Sequence, residues 1–159
     1  MFDALDKVVD RWGEILNGAV FESPSGVSRE MRIIVSGLDS KRMPGMNGND
    51  YPFTQFRIVG GDDGSNSSKF SIIIVAGLYV NPDTDGDGDI DTDDAQTASA
   101  KTLIQQIVSN IRALGRDGNY SPYSLEGLKW QIGDQEGSHP GPDLYVVAAE
   151  LLFSQEPIF

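Results

Sequence analysis

The chain has 159 residues, 39% of them hydrophobic, no cysteine, and a formal net charge of −12 from 12 basic and 24 acidic side chains. That length suits one domain, residues 1–159, around a single core. The missing cysteines exclude disulfides and thiolate-bound metals, the acid excess excludes a dedicated phosphate-backbone binder, and no apolar run approaches membrane-spanning length.

The opening Met1-Phe2-Asp3-Ala4-Leu5-Asp6 lacks the basic start and apolar core of a signal peptide. Phe2, Leu5, Val8, Val9, Trp12, Ile15 and Leu16 instead recur at helical spacing. They predict an amphipathic helix capped by Asp3 and ended near Asn17-Gly18. Residues 21–28 are turn-rich, and Met31 to Val35 suit a short strand. Residues 36–52 form a long irregular connection; loops of that length are functional or mobile, so plain flexibility is the default reading and a partner contact through Met43 and Met46 the alternative. Phe53 to Val59 alternates as a strand does, and the polar turn of residues 60–68 joins it in a hairpin to Phe70–Val80. That second strand is apolar on both faces and therefore belongs in the middle of a sheet.

After it comes Asp83-Thr84-Asp85-Gly86-Asp87-Gly88-Asp89-Ile90-Asp91-Thr92-Asp93-Asp94, with seven carboxylates in twelve residues. Acids at loop positions 1, 3, 5, 9 and 12, Gly at 6 and Ile at 8 match the calcium loop of EF-hands. Asp83, Asp85 and Asp87 would converge on one hard cation, and Gly88 permits the sharp turn. The Asp89 carbonyl supplies a backbone ligand, Asp91 acts through water, and Asp94 closes the shell from the following helix. Asp replaces the usual Glu at that last position, as in dockerin loops. An EF-hand needs a helix on each side, whereas a strand precedes this loop, so it reads as a structural Ca²⁺ clip on a strand-to-helix joint. The competing reading is a solvated acidic loop.

Ala100, Leu103, Ile104, Ile107, Val108, Ile111 and Leu114 predict a long helix stopped by Gly115, with the loop acids at its positive end. Leu125 to Ile132 is a strand with Leu128, Trp130 and Ile132 on one face. A loop at 133–143 holds the lone His139, and Leu144 to Phe153 is a last apolar strand before a tail ending in Ile158 and Phe159. Trp12 and Trp130 lie on apolar stripes, so both are expected in the core. The order helix, strands, helix, strands with hairpin-length links predicts an α+β fold, an antiparallel sheet packed by the N-terminal helix and one long central helix.

Catalytic signatures are missing. There is no nucleophile elbow, P-loop or dinucleotide fingerprint, and the acid pairs are taken up by the metal loop. The expectation is a protein that is not an enzyme.

Several short segments fall in a familiar order: Tyr51-Pro52-Phe53 leading into a strand, and Ala76-Gly77-Leu78-Tyr79 closing the next one. The helix of Ile104, Ile107, Ile111 and Leu114 follows, then Leu128-Lys129-Trp130, Asp134-Gln135-Glu136, a Pro-containing loop, and Tyr145 to Phe153 ending near Pro157. From Tyr51 to Phe159 this arrangement resembles the tail terminator (tail-completion) proteins of long-tailed bacteriophages. The calcium loop departs from that family, whose corresponding link is shorter, and the first 50 residues share only an initial helix. The resemblance implies a homo-oligomer, a hexameric ring that caps the head-proximal end of the tail tube and docks to the head-completion (connector) protein. DNA would pass through its lumen without specific binding. It further implies assembly in the host cytoplasm and a place in the virion at the head–tail junction. A head–tail connector, a minor tail protein and a calcium-dependent adhesion module are the alternatives. Subunit contacts are expected from segments 36–52 and 133–143 and from the tail.

Overall fold

Helix α1, Phe2–Leu16, buries Ala4, Leu5, Val8 and Trp12, one stripe of a 3.6-residue period. It ends where expected. Asn17 adopts the left-handed conformation (φ 47°, ψ 47°) and returns its N–H to the Gly13 carbonyl at 3.0 Å. Its start differs from expectation. Met1 is the N-cap, and Asp3 lies inside the first turn, making no capping hydrogen bond. The Asp3 carboxylate is turned instead toward the N-terminal ammonium and Tyr123.

The computed structural model describes residues 1–35, 51–64, 67–80, 93–133 and 144–155. After α1 come β1 (Val20–Phe21) and β2 (Arg29–Glu30), paired antiparallel in a small ribbon that flanks the turn-rich stretch 21–28. Five further strands form the main sheet: β3 (Arg32–Val35), β4 (Phe53–Asp63), β5 (Ser68–Tyr79), β6 (Ser124–Ile132) and β7 (Leu144–Gln155). Helix α2 (Asp93–Asp117) lies between β5 and β6 in sequence. Their order is β3-β4-β5-β7-β6, which puts the two-sided apolar β5 at the centre.

The fold is α+β, and one pairing departs from the expected antiparallel sheet. β3 runs parallel to β4, with Arg32 opposite Phe53 and Val35 opposite Phe56. A parallel neighbour requires a connection long enough to return along the sheet, and residues 36–52 supply that length. The β4–β5 hairpin also runs further than alternation suggests, to Asp63 opposite Ser68. Main-chain pairing needs no apolar side chains there, and Gly61 admits the close backbone. A Cβ on it would sit 2.6 Å from the Lys69 carbonyl oxygen.

Both helices cover one face of the sheet. Ile107, Val108, Ile111 and Leu114 of α2 join the α1 stripe over Phe56, Ile72, Ile74, Ala76, Leu78, Val147, Ala149, Leu151 and Phe153. Gly115 does not stop α2, which continues to Asp117. It serves packing instead. A Cβ on Gly115 would lie 3.2 Å from a Leu128 methyl, so glycine lets the helix settle against β6. On the opposite face Phe53, Ile73, Val146 and Ala148 are buried as well, with the Phe53 ring lying over Gly77.

Candidate functional site

Two regions concern function: the joint between β5 and α2, and the rim of the sheet along β6. At the joint, β5 ends at Tyr79 and α2 begins at Asp93, so residues between them bridge a strand and a helix, the setting expected for the clip. Asp83, Asp85, Asp87, Asp89 and Asp91 lie outside the described residues. Asp94 lies in the first turn of α2, where a closing ligand at the twelfth loop position belongs. The all-oxygen donor set suits a hard cation such as Ca²⁺. Among the described residues no group of three or more His, Asp or Glu side chains is placed to hold a metal.

Along β6 the helix-bearing face carries Leu128, Trp130 and Ile132, opposite Leu151, Ala149 and Val147 of β7. Leu128 packs against the core. Trp130 does not, contrary to expectation. It is 40% exposed and Ile132 is 62% exposed. β6 is the edge strand, and beside it α2 presents Arg112 rather than an aliphatic side chain. The Arg112 guanidinium stands 5.3 Å from the Trp130 ring centroid, a cation–π pair that composition and periodicity did not reveal. Between α2 and β6 opens a cleft of about 360 Å³ lined by Arg112, Gly115, Arg116, Leu125, Glu126, Gly127 and Leu128. Its floor is apolar, and its rim carries charges of both signs, Arg112 and Arg116 from α2 and Glu126 from β6. The Glu126 carboxylate accepts a hydrogen bond from Ser154, and among the described residues no carboxylate pairs with Arg112 or Arg116.

At the other edge, β3 places Ile33 and Val35 opposite Thr54 and Phe56, hence on the same helix-bearing face; they are 39% and 49% exposed. Both edges of the sheet therefore expose apolar side chains on one side.

The α1 end forms a polar cluster that the sequence did not signal. The N-terminal ammonium donates to Asp3 Oδ1 at 2.8 Å and to the Tyr123 hydroxyl at 2.7 Å, and that hydroxyl donates to Asp3 Oδ1 at 2.7 Å. The ammonium, then the phenol, hold the Asp3 carboxyl well below the usual carboxylate range. Tyr123 is pushed up, chiefly by its hydrogen bond to Asp3. Tyr120 donates to the Leu114 carbonyl at 2.7 Å, and burial pushes its phenol up to about 12. These contacts tie α1 and α2 to the turn before β6, and their chemistry is structural. His139 and segments 36–50, 134–143 and 156–159 lie outside the described residues.

No family model matches the chain, and no curated protein matches it. Among the described residues no helix is long and apolar enough to cross a membrane.

Proposed function

We propose that this protein is a structural, non-enzymatic virion subunit, a tail terminator that assembles into a hexameric ring. The ring caps the head-proximal end of a phage tail tube and joins it to the head-completion protein, with DNA crossing the lumen. It assembles in the host cytoplasm and resides at the head–tail junction. The resemblance running from Tyr51-Pro52-Phe53 to the closing strand motivates the family.

One structural observation carries the self-assembly. The sheet has two unlike edges, β3 and β6, each bearing exposed apolar residues on the helix-bearing face, Ile33 and Val35 at one and Trp130 and Ile132 at the other. Unlike patches at opposite sides of a subunit make heterologous contacts, which generate rings when the rotation closes. The acid excess suits a lumen that does not hold phosphate. Ca²⁺ at the β5–α2 joint stiffens the subunit, with Asp83, Asp85, Asp87, the Asp89 carbonyl, Asp91 and Asp94 as its ligands.

Mixing the purified protein with polymerising tail-tube protein tests the cap. Density at one end of each tube, together with shorter tubes, is expected in electron micrographs. Tubes of unchanged length with bare ends contradict the assignment.

A further inference from the structure

We propose that β6 of one subunit pairs antiparallel, through main-chain hydrogen bonds, with β3 of a second copy, so that the sheet runs on from subunit to subunit. The inference rests on the ring reading and names the bond that would carry it.

Two main-chain bonds fix which groups face outward at the two edges. The Arg32 N–H donates inward to the Pro52 carbonyl at 3.1 Å, and the Gly133 N–H donates inward to the Val146 carbonyl at 2.6 Å. Main-chain groups alternate sides along a strand. Ile33 and Val35 therefore turn their N–H and C=O groups to the outer side of β3, as Trp130 and Ile132 do on β6. Neither outer side has a strand partner among the described residues. The same four residues are exposed, with their side chains on the helix-bearing face.

In an antiparallel ladder, residues that exchange both hydrogen bonds also place their side chains together on one face. Hydrogen bonding and side-chain packing thus select the same partners, Val35 opposite Trp130 and Ile33 opposite Ile132. This register uses all four exposed side chains. It sets Ile34 opposite Gln131 and Arg32 opposite Gly133, where no like charges meet.

Strand direction agrees. β3, β4 and β7 run one way, β5 and β6 the other. A copy set beside the first in the same orientation brings its β3 antiparallel to β6, with its helices on the same side. The step joins unlike edges and repeats, as a ring requires. Past the bulge between Leu125 and Gly127, β6 keeps unbroken register to Ile132, long enough for the whole of Arg32–Val35. Arg112, 5.3 Å from the ring centroid, holds the Trp130 ring beside that edge before the partner arrives.

The test follows assembly by sedimentation velocity over a concentration series. In wild type, amide exchange at Ile33, Val35, Trp130 and Ile132 should slow as the oligomer forms. Trp12 is fully buried and is the only other tryptophan, so a blue shift of emission on assembly reports Trp130. Two full-length variants, Ile33→Pro and Ile132→Pro with Trp130→Phe, each remove one outward N–H and keep an apolar side chain. Circular dichroism and melting confirm that each remains folded. Each alone should self-associate at least ~10-fold more weakly than wild type, because a carbonyl of the partner strand loses its donor. Mixed one to one, they should form a heterodimer in which the Trp130 of Ile33→Pro is shielded, since one intact β6 still meets one intact β3. Rings whose four edge amides exchange as fast as in the monomer overturn the pairing and leave the ring reading in place. Proline variants that assemble as wild type does, or a mixture no tighter than its components, do the same. An Ile33→Pro protein that dimerises with its own Trp130 shielded also overturns it, because like edges would then be paired. A wild type that remains monomeric throughout overturns both.

Discussion

Trp12 donates its indole N–H to Thr54 Oγ1 at 3.1 Å, with both side chains fully buried. This bond fastens α1 to β4 at the centre of the helix-bearing face, and Thr54 in turn donates to the Met31 sulfur at 3.0 Å. Thr54→Val keeps the shape and strands the indole N–H in the core, which should destabilise the fold by about 1–3 kcal/mol. Thr54→Ser should retain most of the stability. Denaturant melts of the two variants check this; equal midpoints would mean that the bond contributes nothing.

The same region shows what the sequence disclosed. A helix with apolar residues at 5, 8 and 12 must bury that stripe, and a strand apolar on both faces must lie mid-sheet; α1 and β5 behave accordingly. What stayed hidden depends on neighbours that a linear pattern does not specify. Gly115 reads as a helix stop until Leu128 is seen against it. Trp130 reads as core until β6 proves to be an edge with Arg112 above the ring. β3 reads as one more antiparallel strand until its register, Arg32 opposite Phe53 and Val35 opposite Phe56, proves parallel to β4. Of the candidate metal ligands, only the place of Asp94 at the start of α2 falls within the described residues.

Gly77 is a sharper test of packing on the opposite face. A Cβ there would fall within the Phe53 ring, its cross-strand partner. Gly77→Ala should destabilise by about 1–3 kcal/mol as the ring is forced aside. Phe53→Leu in the same chain should recover part of that loss. Strict additivity in the double-mutant cycle would show that the two positions do not touch.

Alkali and acid should both weaken the contacts that tie α1 and α2 to the turn before β6. Tyr120 titrates at about 12 in the folded chain against 10.0 ordinarily, so its stabilising share is full below about pH 10 and is lost as pH rises through about 12. Tyr123, also raised, adds loss in the same direction. Asp3 is depressed, so its share is present above the ordinary carboxylate value and fades as pH falls toward its folded value. Tyrosinate absorbance against pH should show late-titrating phenols, one of which Tyr120→Phe removes. A wild-type curve with every tyrosine titrating at the ordinary value contradicts the burial argument.

Calcium should stiffen the β5–α2 joint. Seven carboxylates in one short loop repel one another unless a cation sits among them. Ca²⁺ at 100 times its dissociation constant would add about 2.7 kcal/mol of stability. Asp83→Ala or Asp85→Ala should abolish a calcium-dependent rise in melting temperature, whereas Asp93→Ala, off the ligand positions, should largely keep it. Identical melting in excess chelator and in millimolar calcium would leave the loop merely acidic.

Closed assembly is the central claim, and negative-stain electron microscopy of the purified protein tests it most directly. The account predicts rings of uniform diameter with an open lumen and six-fold averages, formed without tail tubes or heads. Fields of single subunits at concentrations well above those expected in an infected cell, with no closed rings, would contradict it.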